Sequence, residues 1–357
     1  MSLIVLNRKN LAHNFNYLSK LFEENNIEWG IVTKVLCGNN QFLEEIIRLG
    51  ARELLDSRIS NLKKIKMIDH TVRTIYIKPP PHRSLKNVVK YADVSFNTDY
   101  ETMNLLSEEA HRQEKVHQVI IMIEMGDLRE GVMGENLINF YEKVFELPNI
   151  EIIGFGTNLN CLYGVMPSHD KLIQLTLYKQ IIELKFNKKI PLISGGSSVT
   201  IPMLLKKQLP KNINHFRIGE TLYFGNNLIT GEKIDGMSDD VISFYAEIIE
   251  LNEKPLVPEG ELGENPSGDV YEVDPKDYGK KAWRALLDVG LLELSPDFLE
   301  PFDKKIKMAG GSSDMLVIDL GKNPKKYKVG DSIKFKLKYM GALGLFNSDY
   351  VAKKIID

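Results

Sequence analysis

Cysteine is scarce in this chain: Cys37 and Cys161 are the only two among 357 residues. Two cysteines supply neither a disulfide framework nor a thiolate cluster for a metal, so a reducing, cytoplasmic setting is expected. Histidine runs out early, with none after His215, which argues against an imidazole-built metal pair in the last third of the chain. An excess of either charge is missing too. The 46 basic and 48 acidic side chains leave a formal charge of −2, which offers no electrostatic footprint for nucleic acid or an anionic membrane. No stretch is both long and apolar enough to supply the ~18 residues of a membrane span. The polar Asn7-Arg8-Lys9-Asn10 follows Leu3–Leu6 so closely that a secretory leader is not expected. Internal repeats and low-complexity linkers are absent. So is a glycine-rich first strand-to-helix turn, which speaks against a doubly wound sheet.

What is present is ordinary globular material, 43% hydrophobic and 26% charged, in a chain too long for one simple core. Asn10 is expected to cap a first helix that runs to about Glu24, with Leu11, Phe15, Leu18 and Leu21 at helical spacing. Short apolar or β-branched runs then predict strands at Trp29–Lys34, Glu53–Asp56, Arg73–Ile77, Val94–Asn97, His117–Glu124, Ile152–Asn158, Pro191–Ser194 and His215–Arg217. Helical patterns fall between them at Gln41–Arg48, Ile59–Lys66, Tyr100–Gln113, Asn136–Phe145 and Lys171–Phe186. Eight such strands are the count of an α/β (β/α)₈ TIM-type barrel, assigned here to residues 1–236. Beyond that point strands are expected without helices between them: Ile242–Leu251, Ala285–Val289, Lys305–Met308, Met315–Asp319, Ser332–Leu337 and Val351–Ile356. Gly and Pro clusters at Pro255–Gly263, Pro266-Ser267-Gly268 and Gly310-Gly311 separate them. Residues 237–357 therefore read as a C-terminal antiparallel β domain.

Chemistry on such a barrel sits on the loops after its strands. The polar residues expected there are Lys34, Asp56-Ser57-Arg58, Lys78, Asn97, Glu124 to Arg129, Asn158 with Asn160, Ser194 to Ser198, and Arg217. Lys34 follows a mostly apolar run that should enclose its stem. A buried ammonium is costly unless its pKa falls or it is bound covalently, and an amine so tuned forms Schiff bases with aldehydes. The competing reading is a rim lysine paired with Glu124 or Asp56. Ser194-Gly195-Gly196-Ser197-Ser198 combines close backbone approach with serine hydroxyls, which suits an anion, though a plain turn and helix cap needs the same residues. Gly219, two residues past Arg217, offers a second patch of backbone N–H beside the first. Two such turns on the last two strands match the phosphate position of these barrels.

In this order the segments resemble the fold-type III pyridoxal phosphate enzymes of the alanine racemase family, within it most closely the ornithine racemase-like branch, nearly end to end. The matching segments are Asn10–Leu18 with its His13-Asn14 pair, Val32-Thr33-Lys34-Val35, Leu55 to Ile59, Glu124 to Arg129, Gly154 to Asn158, Ser194 to Ser198, Arg217 with Gly219, and Gly310 to Asp314. The resemblance implies pyridoxal phosphate as cofactor and Lys34 as the residue that holds it. It implies Arg129 at the phenolic oxygen, Asn158 beside the ring, Ser197, Ser198 and Gly219 at the phosphate, and Arg217 at the pyridine nitrogen. Ser313 and Asp314 would face substrate. It also implies an isomerase that interconverts L- and D-amino acids by a two-base mechanism, in a homodimer whose active sites are shared between subunits.

Departures from the family pattern fall at four places. Asn158 replaces a histidine. Met122 stands where a modified lysine supports the arginine, which leaves Glu130 to hold Arg129. Gly38 stands where a phosphate-contacting tyrosine follows the lysine. The tyrosine motif of the second base is not found; Pro255–Gly263 takes its place, and Tyr271 is the nearest tyrosine. The branch suggests ornithine as substrate, then lysine, with alanine or serine as alternatives; Glu259, Glu261, Glu264 or Asp314 could pair with a basic side chain. A decarboxylase of the same fold type would carry a Gly-Glu-Pro-Gly-Arg segment and a Cys-Asp/Glu pair near its end, and neither is present. An aldolase would want a metal pair in the β domain, and a non-enzymatic pyridoxal phosphate homeostasis protein would have the barrel alone.

Overall fold

The computed structural model describes residues 2–264, 268 and 270–357. Pro266 and Ser267, from one of the expected Gly/Pro clusters, lie outside the described residues. The chain forms two compact units, one of residues 7–241 with Asp357, the other of residues 2–6 and 242–356. The break thus comes after Val241 rather than after residue 236. The first few residues join the C-terminal unit, because β1 (Leu3–Asn7) pairs antiparallel with a strand that begins at Ile242.

The larger unit opens with α1 (Arg8–Glu24). Its cap is Asn7 and not Asn10. Asn7 has extended backbone and its side chain accepts from Asn10 N at 2.9 Å, whereas Asn10 is already helical and donates to Asp240 O at 2.8 Å. The His13-Asn14 pair fastens this helix down. Asn14 donates to Leu222 O and Ser238 O and accepts from Ser238 N, while His13 Nε2 meets Gly236 O at 2.7 Å.

Parallel strands follow: β2 (Glu28–Val32), β3 (Glu53–Asp56), β4 (Arg73–Tyr76), β5 (Val94–Asn97), β6 (His117–Met122), β7 (Ile150–Gly156), β8 (Leu192–Ser194), β9 (Gly196–Ser197) and β10 (His215–Ile218). Outside them run α2 (Asn40–Arg48), α3 (Ile59–Ile68), α4 (Leu85–Tyr91), α5 (Tyr100–Arg112), α6 (Leu137–Val144), α7 (His169–Phe186), α8 (Ile201–Leu205) and α9 (Glu220–Phe224). Neighbours in the sheet run β8-β7-β6-β5-β4-β3-β2-β10-β9. The two-residue β9 comes directly after β8 and pairs with β10, so the ends of the sheet meet and the fold is a (β/α)₈ barrel. Leu55, Ile75, Val94, Phe96, Ile120, Met122, Ile153 and Leu192 form the core inside it. Each such side chain contributes roughly 1.5–3 kcal/mol on burial.

In the smaller unit β11 (Ile242–Pro255), β12 (Lys281–Leu287), β13 (Leu299–Pro301), β14 (Lys307–Gly311), β15 (Leu316–Asp319) and β16 (Ser332–Leu337) form an antiparallel sheet in the order β13-β16-β11-β12-β15-β14. β17 (Ala352–Ile356) pairs with β1 at its side. The expectation of strands alone fails at α10 (Tyr339–Asn347). Gly341 and Gly344 disfavour a helix by propensity, but a Cβ on either would meet the 293–298 segment at 2.8 Å or less. Close packing there overrides the propensity.

Candidate active site

Strand β2 ends at Val32, so Lys34 does not finish the strand as expected but begins a tight 3-10 turn, Lys34–Leu36. The turn is strapped to the end of β3. Thr33 N donates to Leu55 O at 2.9 Å, and Thr33 Oγ1 donates to Asp56 Oδ2 at 2.8 Å. Asp56 is fully buried and also accepts from Arg58 N and Asn61 Nδ2. Burial pushes its carboxyl above the usual range although these donors and Lys34 pull the other way. Burial also lowers the Lys34 ammonium from its ordinary value, reinforced by the guanidinium of Arg129 and, more weakly, that of Arg217; Cys161 and Asp56 oppose the shift. Lys34 therefore sits among two arginines and a thiol. Glu124 is turned to its own loop, accepting from the N–H groups of Gly126, Leu128 and Arg129.

Arg217 lies on β10, opposite Gly30 of β2. It is buried over the ring of Phe96, 5.5 Å from the centroid. Nη1 donates to Ser194 O at 2.5 Å and Ser194 Oγ at 2.6 Å, and Nη2 donates to Thr157 O at 2.6 Å. Nε and one Nη2 hydrogen remain unshared among the described residues. Burial lowers its pKa to about 10, with Arg129 adding to the shift and Glu130 opposing it, so it stays charged at neutral pH. Beside it Thr157 Oγ1 is buried without a hydrogen-bond partner among the described residues.

Arg129 is exposed, with Glu130 and Cys161 Sγ against its guanidinium. With its amide turned so that the oxygen faces the guanidinium, Asn158 would accept from Arg129 Nη1 at 2.9 Å. The Glu130 carboxylate raises the arginine's pKa and fixes its charge. At the other side of Arg217, Ser198 Oγ accepts from Gly219 N at 3.4 Å and Thr221 N at 3.2 Å, leaving its own proton to donate outward. Ser197 and Thr200 form a reciprocal capping box. At residue 38 no side chain fits: φ is +69° and a Cβ would lie 2.3 Å from Asn61 Oδ1.

Within the Glu124–Arg129 segment the sequence assigns no role to Asp127. It is buried and accepts from the N–H groups of Cys161, Leu162, Tyr163 and Val165 at 2.8–3.2 Å. Burial alone would raise its carboxyl; the four donors more than offset that and hold it below the usual range. It thereby clasps the loop after β7 to the loop after β6, and so brings Cys161 to Arg129. An acidic residue two positions before the arginine was the one available signal.

Tyr271, Ser313 and Asp314 belong to the other unit and are exposed. Ser313 Oγ donates to Asp314 Oδ2 at 2.6 Å, in the turn between β14 and β15. Glu259, Glu261 and Glu264, between β11 and β12, are exposed as well.

Fold and site together define a (β/α)₈-barrel protein whose rim is organised around one desolvated amine and two guanidinium groups. The family described as alanine racemase, N-terminal domain, matches residues 6–227. Over the whole length the chain is 35% identical to the ornithine racemase of Acetoanaerobium sticklandii, covering 99% of both proteins. It is 30% identical to the lysine racemase of Thermotoga maritima, covering 98% of this chain and 97% of that one. Its fold is similar to that of the alanine racemase from Bartonella henselae, solved with covalently bound pyridoxal phosphate: TM-score 0.74, 14% identity, 99% of each chain covered. The chain belongs to the alanine racemase family.

Proposed function

We propose that this chain interconverts the L and D forms of ornithine or a closely related diamino acid. As a member of the alanine racemase family it is an enzyme, an amino acid racemase dependent on pyridoxal phosphate. The observation that carries the reading is Lys34 opening the turn after β2, strapped through Thr33 to the end of β3, with Arg217 fixed on the neighbouring β10 by Ser194 and Thr157. Ornithine is favoured because two full-length relatives are named for ornithine and lysine.

The donor set fits the cofactor. Lys34 would hold its aldehyde, the unshared N–H groups of Arg217 would meet its ring nitrogen, and Arg129 its phenolic oxygen. Ser198 with Ser197 and Gly219 would receive the phosphate, and Asn158 and the partnerless Thr157 hydroxyl would line the ring. When bound, pyridoxal phosphate supplies an electron-withdrawing ring that makes the substrate α-proton removable.

The protein's own groups do the rest. Lys34 takes or returns a proton on one face of the substrate. Arg217 keeps its proton, because its lowered pKa of about 10 still lies far above neutrality, so towards a bound ring nitrogen it would donate a hydrogen bond and not the proton itself. That would moderate the ring and suits a reaction that must return every proton it removes. A second donor is needed on the opposite face, and we assign it to Tyr271 from a second copy of the chain, in a homodimer with shared sites. Ser313 and Asp314 are assigned to the substrate, and Glu259, Glu261, Glu264 or Asp314 would pair with its distal ammonium. No helix among the described residues is long and apolar enough to cross a membrane. The cytoplasm is the proposed setting, in keeping with two cysteines that form no disulfide.

The test is direct: protein, pyridoxal phosphate and single L-amino acids are mixed, and chiral chromatography follows each. Accumulation of the D form, fastest with ornithine, is expected. Release of carbon dioxide, formation of an aldehyde, or no reaction with any amino acid would overturn the reading.

A further inference from the structure

Behind Arg217 runs a line of buried polar groups that the proposed chemistry does not use. Ser194 Oγ, which accepts from Arg217 Nη1, lies 2.7 Å from His215 Nδ1, and His215 Nε2 lies 2.8 Å from Glu53 Oε1. Ser194 and His215 are fully buried, and the Glu53 side chain is 11% exposed. Alternation along β10 puts residues 215 and 217 on one face. Gly30 makes the connection feasible, since a Cβ there would sit 2.5 Å from Glu53 Oε1. Arg73 holds the far end of the line, 3.4 Å from Glu53 Oε2.

Carboxylate, imidazole and hydroxyl stand in the order of a hydrolytic triad. Ser194 is no nucleophile, however: it has no exposed surface, and its oxygen is occupied by a guanidinium. The hydrogen-bond count fixes the direction of the line. Arg217 can only donate, so Ser194 Oγ accepts from it. The Ser194 hydroxyl proton then has one acceptor among the described residues, His215 Nδ1, and His215 Nε2–H is left to donate to Glu53. Burial opposes charge on the Glu53 carboxyl, but the hydrogen bond from His215 Nε2–H and the Arg73 guanidinium 3.4 Å from Oε2 favour it, so the line ends on an anion.

We infer that Glu53, His215 and Ser194 act as a positioning relay that sets how strongly Arg217 donates to the cofactor's ring nitrogen. Each bond in such a chain polarises the next. The Glu53 anion draws the imidazole proton, the imidazole draws the Ser194 proton, and the serine oxygen becomes a better acceptor for Arg217. The guanidinium is thereby partly neutralised and gives a weaker hydrogen bond on its open side. This rests on the cofactor reading above and deepens it: the ring's electron demand would be tuned from the opposite end of the barrel strands.

The experiment uses wild type, Glu53→Gln and His215→Phe. Nitrogen-15 NMR of the cofactor-free wild type should show His215 protonated at Nε2 alone; protonation at Nδ1 would overturn the relay. After loading with pyridoxal phosphate, borohydride should fix the cofactor to Lys34 in all three proteins. The bound cofactor's absorption band should shift in both variants. The fraction of turnovers in which the substrate amino group passes to the cofactor, giving a keto acid and pyridoxamine phosphate, should rise about tenfold, the lower end of what removing a group behind a ligating histidine does in metal sites. An unchanged band and an unchanged ratio on normally loaded variants would sink the relay and leave the cofactor reading standing. Failure of the wild type to fix any cofactor would remove the cofactor reading itself, and the relay's role with it. Should His215→Phe not fold, Glu53→Gln keeps the shape of the line and decides alone.

Discussion

Two ionisable side chains at the rim, the buried Asp127 and the half-buried Lys34, carry opposite consequences for stability. The Asp127 carboxyl titrates lower in the folded protein than in the unfolded chain. Its contribution is therefore complete above the unfolded value of ~3.9 and is lost only as pH falls through the lower folded value. Asp127→Ala removes the shared acceptor of four backbone N–H groups on a largely exposed loop and should cost about 1–2 kcal/mol at pH 7, seen as a lower midpoint in urea; a change below about 0.5 kcal/mol would show that the clasp is dispensable. Lys34 is the reverse case. Its folded pKa is lowered, so the unfavourable contribution is present in full below the folded value and vanishes above about 10.4. Lys34→Met should therefore raise the Tm of the cofactor-free protein at pH 7 by roughly 1–2 °C, what about 1 kcal/mol does at this size. The gain should shrink as pH approaches 10.4. A lysine kept at a cost to stability is what a site held for chemistry looks like.

Strands and loops decide whether these side chains meet. The sheet's closure depends on β9 lying against β10 with Gly196 opposite Phe216, where a Cβ would sit 2.2 Å from the ring. Gly196→Ala should then lower stability by about 1–3 kcal/mol and loosen cofactor binding, because Ser197 and Ser198 follow directly; calorimetry with and without pyridoxal phosphate measures both. Much at this scale was legible in the sequence. Glu53–Asp56 and Val94–Asn97 begin and end where expected, set by Leu54-Leu55 in the first and by the alternating Val94 and Phe96 in the second. The short helices α4, α8 and α9 were not legible, because a few residues carry too little periodicity. At α1 the cap was misplaced by one turn, as Asn7 and Asn10 are both good caps and only the extended backbone at Asn7 decides. Lys34 and Arg217 could be picked out because each stands beside an apolar run. Asp56 beneath Lys34, the Asp127 clasp, and Glu53 behind His215, 162 positions away, depend on contacts between distant segments that no local pattern encodes.

At the scale of the whole chain, the proposed second base and the proposed Schiff-base lysine lie in different compact units. If the sites are shared between copies, Lys34→Ala and Tyr271→Phe are each inactive alone. Mixed, refolded dimers should recover about a quarter of wild-type activity, since random pairing restores one intact site in half of them. Absence of recovery would exclude Tyr271 or the shared arrangement. Cofactor at about 100 times its Kd should stabilise the protein by ~2.7 kcal/mol, and the Lys34→Ala variant should show much less of this gain. The barrel, the β unit and the family relationship were all readable from the order of segments, whereas the joining of β1 to the C-terminal sheet was not, because its partner begins more than two hundred residues later. The most direct test of the account is chemical. The protein is incubated with pyridoxal phosphate, reduced with borohydride, digested and mapped by mass spectrometry. The account expects one pyridoxyl group, on Lys34, and none in Lys34→Ala; a label on another lysine, or one that persists in the variant, would contradict it.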